Sequence, residues 1–163
     1  MVSALDRARR VAAEVVDPEL PMLTLQDLGV LRSVEMEDGV VAVAITPTYL
    51  GCPALATMRD DLVHRLQEAG FPSIGVRIEL DPPWSSDWIS ERGRLALKQH
   101  GLSAPGAAPR PLVLNLGPTR RNLTCPRCGS GRTTVTSEFG ATACKALYRC
   151  DECREPFEHL KEI

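Results

Sequence analysis

At 163 residues, with 44% hydrophobic and 25% charged side chains, the chain has the composition of a soluble globular protein: one domain, or one domain with a small appendage. Its 19 basic and 21 acidic residues leave a net charge of −2, which argues against an electrostatic grip on nucleic acid. No window reaches the roughly 18 uninterrupted apolar residues of a membrane span, and the N-terminal "VAAEVV" is too short, with Glu14 inside it, for a secretory core. A cytoplasmic location without nucleic-acid or membrane partners is expected.

The first element is a helix. Leu5, Ala8, Ala12, Val15 and Val16 recur at helical spacing behind Ser3, a suitable N-cap, and Asp17-Pro18 stops the run. "DPELPMLTLQDLGV" reads as an irregular loop, and "VLRSVEMEDGVVAVAIT" as two strands turning around Glu37-Asp38-Gly39. Val41, Val43 and Ile45 share one face of the second strand. A helix is expected from Pro53, with Leu55, Met58, Leu62 and Leu66 as its apolar stripe and Gly70 as its stop. "SIGVRIEL" alternates as a third strand, with Ile74, Val76, Ile78 and Leu80 on one face. A last helix follows "DPPWSSDW", from about Ser90 to Gln99.

This order predicts an α+β fold: a small mixed three-stranded sheet with helices packed on one face over residues 1–101. Residues 102–121 carry four prolines and read as a linker, in which "LVLNL" offers a short edge strand. Residues 122–163 form a second unit, too short to bury a core without a staple.

The cysteines supply one. Cys125-Pro-Arg-Cys128 and Cys150-Asp-Glu-Cys153 are two C-x2-C pairs with 21 residues between them. Each pair wraps a tight knuckle, and two knuckles make a tetrathiolate for a structural Zn2+. Gly129 is placed for the positive-φ turn of the first knuckle. The tail is therefore read as a zinc-ribbon β unit, with "RTTVTSEFG" and "KALYRC" as its hairpin. "CPRCG" also suits a rubredoxin-like iron site, and ligand type alone does not separate the two metals. Cys144 is a fifth thiol of the tail, either a small packed hydrophobe or an auxiliary ligand. His159 reads as a surface residue.

Cys52 stands apart, between the second strand and the following helix. A helix N-terminus favours an anion, so a thiol there is expected to have a lowered pKa and to serve as nucleophile or ligand; a buried junction cysteine is the alternative. None of His64, His100 and His159 offers it a convincing catalytic base, so a hydrolase is not expected.

"DPELP", "DLGVL", "VAVAITPTYLGCPALATM" and "DPPWSSDWISERGRLAL" together resemble the iron–sulfur assembly domain shared by SufT and a cytosolic iron–sulfur assembly factor, over about residues 5–98. With "EFGATACKALYRC" added, the whole chain resembles the PaaD (or PaaJ) family of phenylacetyl-CoA 1,2-epoxidase D subunits. The resemblance implies a non-catalytic accessory protein of phenylacetate catabolism. Its partners would be the di-iron oxygenase subunits, the iron–sulfur flavin reductase, or both, and it would help mature one of their metal centres. The family's motif residues fall on Asp17, Pro18, Glu19, Asp27, Gly29, Thr46, Cys52 and Trp84. Cys52 would handle iron or an iron–sulfur cluster transiently. Asp17, Glu19 and Asp27 would shape the loop by turns and caps, or hold iron beside the thiol. Trp84 would be a core or interface aromatic. A rubredoxin-like electron carrier and a purely structural oxygenase subunit stand as alternatives, and a homodimer is left open.

Overall fold

The computed structural model describes residues 3–108 and 123–162. The chain divides into two compact units, Met1–Gly93 and Arg94–Ile163.

In the first unit, α1 spans Ala4–Ala13, and the Ser3 side chain accepts the Asp6 N–H at 3.0 Å as its N-cap. Ala8 and Ala12, small and fully buried, let α1 lie close against the sheet. Strands β1 (Leu31–Glu37) and β2 (Val40–Ile45) pair antiparallel around Asp38 and Gly39. Both turn residues have positive φ (48° and 81°), as a two-residue hairpin turn requires. Helix α2 (Leu55–Glu68) crosses back, and β3 (Ile74–Ile78) joins β2 in parallel to complete the order β1-β2-β3. Val41, Val43 and Ile45 are sealed, and Met58, Leu62 and Leu66 of α2 are buried with them.

Three expectations shift. Helix α1 ends at Ala13 rather than at Asp17-Pro18, and Val16 instead forms an isolated antiparallel bridge with Thr24. Helix α2 starts at Leu55 rather than Pro53, because the Leu55 N–H first closes a turn onto the Cys52 carbonyl at 3.2 Å. The apolar row expected for the third strand is only partly covered: Ile78, the last residue of β3, and Leu80, beyond its end, stay 45% and 52% exposed. A 3-10 turn at Ser86–Trp88 leads into α3 (Glu91–Gln99), which runs across the division between the units.

The second unit is a four-stranded sheet. Strand β4 (Leu102–Ser103) pairs parallel to β7 (Pro156–Leu160), which pairs antiparallel to β6 (Lys145–Cys150), and β6 to β5 (Thr133–Ser137), giving the order β4-β7-β6-β5. The β5–β6 hairpin follows the sequence expectation. Leu102 and Ser103, read as the start of a linker, instead belong to this sheet; the "LVLNL" strand reading lies outside the described residues. Its core is small: Leu123, Cys125, Ala146, Tyr148, Cys150 and Phe157, with the two rings stacked at 5.9 Å.

His159 is not a surface residue. Alternation along β7 turns Phe157 and His159 to the same inner face, where His159 is fully buried and stands edge-on to Tyr148 at 5.8 Å. Its Nε2 lies 3.4 Å from Glu162, whose Oε1 also accepts the Gly106 N–H at 3.0 Å. Among the described residues, no helix is long and apolar enough to cross a membrane.

Candidate metal centre and thiol loop

The two C-x2-C pairs are built alike. Cys125 N–H reaches the Ser130 carbonyl at 2.9 Å, and Cys150 N–H reaches the Glu155 carbonyl at 3.0 Å. Each knuckle turns through a left-handed residue four positions after its first cysteine, Gly129 (φ 75°) in one and Arg154 (φ 66°) in the other. These equivalent turns aim all four sulfurs inward.

The sulfurs all lie within 4.8 Å of one another, with Cys125–Cys153 at 3.8 Å and Cys128–Cys150 at 3.5 Å. Sulfurs at about 2.3 Å from a central ion would be about 3.8 Å apart in a regular tetrahedron, so the cage fits a four-coordinate metal. Its electrostatics favour one over four free thiolates. The Cys153 backbone N–H first, with Cys128 and the other thiols, draws the Cys150 thiol below its ordinary value against the effect of burial. The Glu155 amide favours the Cys153 thiolate, yet burial and the crowding by Cys128, Cys150 and Cys125 push it up to about 12. Four sulfurs this close cannot ionise together without a cation between them. The group has the make-up of a tetrathiolate metal site, with Cys125 and Cys150 buried, Cys153 half-buried and Cys128 exposed. Cys144 is not in this set. It is buried in the turn before β6, where its Sγ lies 3.1 Å from Thr142 Oγ1.

The remaining motif residues belong to the first unit. Asp17 is buried and its Oδ1 accepts the N–H of Glu19 (2.7 Å) and of Leu20 (2.9 Å), so it shapes its turn from within. The turn continues into Leu25, whose N–H reaches the Val15 carbonyl at 2.8 Å.

Asp27 is a hub. Its carboxylate accepts from Thr24 Oγ1 (3.0 Å), Ser90 Oγ (2.8 Å) and both Arg92 Nε and Nη2 (2.9 and 2.6 Å). Burial works to raise this carboxyl, but the Arg92, Ser90 and Thr24 donors outweigh it and hold it below the ordinary carboxylate range. Beside it, Leu28 O accepts the Trp84 indole N–H at 2.9 Å. Gly29, at φ 75°, lies against Trp88. The three residues of Asp-Leu-Gly are thus each gripped by the segment from Trp84 to Arg92. Arg92 lies within the quoted segment "DPPWSSDWISERGRLAL", but its partner Asp27 is 65 positions away, which is why motif reasoning gives it no role.

The grip reaches the thiol loop. Val30 follows Gly29, and its carbonyl accepts the Thr46 N–H at 2.9 Å. Thr46 and Thr48 are buried, Leu50 is 76% exposed, Gly51 turns at φ 86°, and Cys52 is half-buried just before α2. Ala54, at the N-cap of α2, offers no side-chain cap, and the first turn of α2 has no acidic residue. The helix end keeps its positive field toward the loop.

Comparison with known proteins gives the same two-part division. Residues 6–70 match the family model described as "Iron-sulfur cluster assembly protein", and residues 111–161 match "PaaD zinc beta ribbon domain". A protein of Escherichia coli (strain K12), provisionally named as the D subunit of 1,2-phenylacetyl-CoA epoxidase, is 45% identical over 152 residues, covering 93% of this chain and 88% of that one. The Fe-S protein maturation auxiliary factor YitW of Bacillus subtilis (strain 168) is 35% identical over 88 residues, 52% of this chain and 83% of its own. Among solved structures, a Bacillus anthracis domain of unknown function, DUF59, superposes with a TM-score of 0.53 at 25% identity, covering 57% of this chain and 90% of that one.

Proposed function

The chain belongs to the family of phenylacetyl-CoA epoxidase D subunits, and on that premise we propose that it is a non-catalytic maturation factor for a metal centre of that multicomponent oxygenase. Its clients are the di-iron oxygenase subunits, the iron–sulfur reductase, or both. The relatives of its first unit carry the name of Fe-S protein maturation auxiliary factors, which supports the assignment.

Cys52 is the working thiol. The observation that carries this reading is its place: half-buried, in a loop anchored at Thr46 and tipped by exposed Leu50 and Gly51, next to an uncapped helix end. The field there favours a thiolate, and partial exposure lets a ligand exchange. Iron or a small iron–sulfur cluster is the cargo. Cys52 Sγ would bond one iron as a thiolate and give way to a ligand of the client, with no change of oxidation state.

The other sulfurs do a different job. Cys125, Cys128, Cys150 and Cys153 would hold Zn2+, which supplies a cross-link to supplement the ribbon's small core. Asp17, Asp27, Thr46 and Trp84 keep the loop in shape, and Glu19 contributes its backbone N–H to the Asp17 turn.

The test is a chromosomal Cys52→Ser strain. The variant protein should be folded and zinc-loaded while epoxidase activity in cells falls by an order of magnitude or more, to about the level without the factor. Full epoxidase activity in the Cys52→Ser strain would contradict the proposal.

A further inference from the structure

We infer that Arg92 is a positioning residue for Cys52, acting through Asp27 and the Val30–Thr46 hydrogen bond. The inference rests on Cys52 being the working thiol. The guanidinium makes a two-pronged contact with a carboxylate whose side chain is only 9% exposed, although Arg92 itself is 72% exposed. Such a fork fixes orientation as well as charge.

The contact is part of a junction with no slack. The Ser90 N–H reaches the Asp27 carbonyl at 2.8 Å, Ser90 Oγ joins the Asp27 carboxylate, and that same hydroxyl accepts the Gly93 N–H at 2.9 Å to start α3. A Cβ on Gly93 would come within 3.0 Å of Asp27 O. Asp27 is therefore held from the far side of some sixty residues of chain. Between Asp27 and the thiol loop the backbone is short and clamped: Trp84 takes Leu28 O, Trp88 closes on Gly29, and Val30 O takes Thr46 N–H. Releasing Asp27 loosens the stretch that ends at Val30, one of the ties at the base of the loop beside the pairing of Ile45 with β1 and β3. A residue lying outside the matched span 6–70 thereby sets where the thiol points.

The experiment uses the full, metal-loaded chain. Alkylation of Cys52 by iodoacetamide is followed by peptide-resolved mass spectrometry from about pH 6 to about pH 10, the span that covers a thiol titration. Arg92→Ala should raise the limiting rate at high pH about threefold or more, as a locally opened loop exposes the sulfur. Arg92→Lys should fall between Arg92→Ala and wild type. In an Asp27→Asn background, Arg92→Ala should add nothing, because both changes cut one link.

An unchanged rate profile in Arg92→Ala, even with a lower melting temperature, would overturn the inference and leave Arg92 as a stabilising residue only. Additive effects of the two substitutions would overturn it as well. Where Arg92→Ala does not fold, Arg92→Lys is judged by the same profile. Because alkylation is read on the free protein, a flat response sinks this inference without touching the client assay. Normal client metallation by Cys52→Ser protein sinks the transfer reading without touching the alkylation result.

Discussion

Trp88 closes on Gly29 so tightly that a Cβ at position 29 would sit 2.5 Å from Trp88 Cβ and 2.8 Å from the Trp88 carbonyl oxygen. The glycine of Asp-Leu-Gly is thus required twice, for its φ of 75° and for the space it leaves. Gly29→Ala is expected to destabilise the first unit by about 3 kcal/mol or more, from backbone strain plus overpacking. Gly51 is the control: its φ is 86°, but nothing lies within 4 Å of a Cβ there. Gly51→Ala should cost only about 1 kcal/mol, the strain alone. Urea unfolding followed by tryptophan emission reports this unit, since Trp84 and Trp88 are the chain's two tryptophans and both lie in it. Equal losses for the two variants would refute the contact argument.

The two knuckles make an internal comparison. Gly129 and Arg154 occupy the same left-handed position, but arginine carries a Cβ penalty that glycine does not. Arg154→Gly should be neutral or stabilise the ribbon by up to about 1 kcal/mol, whereas Gly129→Ala should destabilise it by about 1 kcal/mol. Competition with a zinc chelator ranks the variants. Arg154→Gly releasing metal faster than wild type would contradict the symmetry argument.

Asp27 makes the first unit sensitive to acid. Its folded carboxyl titrates below its ordinary value, so it contributes stability that is complete above that value. The contribution is lost as pH falls through the folded pKa. Arg92→Ala removes the main favourable partner, raises the folded pKa, and should move the acid-unfolding midpoint of the tryptophan signal to higher pH. An unshifted midpoint would mean that the ion pair carries none of this stability.

Much of this arrangement is legible in residue order, and the limits have physical causes. Period-two and period-3.6 patterns mark β1, β2, α1 and α2, because one side of each element is sealed against the core. Two C-x2-C pairs announce a metal cage because few other structures need that spacing. β7 escapes notice, since "PFEHL" begins with proline and alternates its buried face through a histidine rather than an aliphatic. Burial of His159 depends on Tyr148 and Glu162, partners set by strand register. The Asp27–Arg92 fork spans 65 positions of sequence, and no local pattern encodes a contact of that range.

Removal of the metal should affect the two units differently. The wild-type protein is expected to be colourless with one zinc per chain, and treatment with a strong chelator should expose Cys125, Cys128, Cys150 and Cys153 to thiol reagents. Tryptophan emission from the first unit should stay unchanged. Iron in the purified tail, with a red colour, would instead favour an electron carrier.

The central claim is that Cys52 hands iron, alone or in a cluster, to the oxygenase system. It is tested most directly by the iron content of the oxygenase and reductase subunits after co-expression with wild-type, Cys52→Ser or Cys144→Ser protein. The account predicts normal iron with wild type and Cys144→Ser, and a loss of most of the iron from one client with Cys52→Ser. Full iron occupancy of every subunit in the presence of Cys52→Ser protein, with none when the factor is absent altogether, would contradict it.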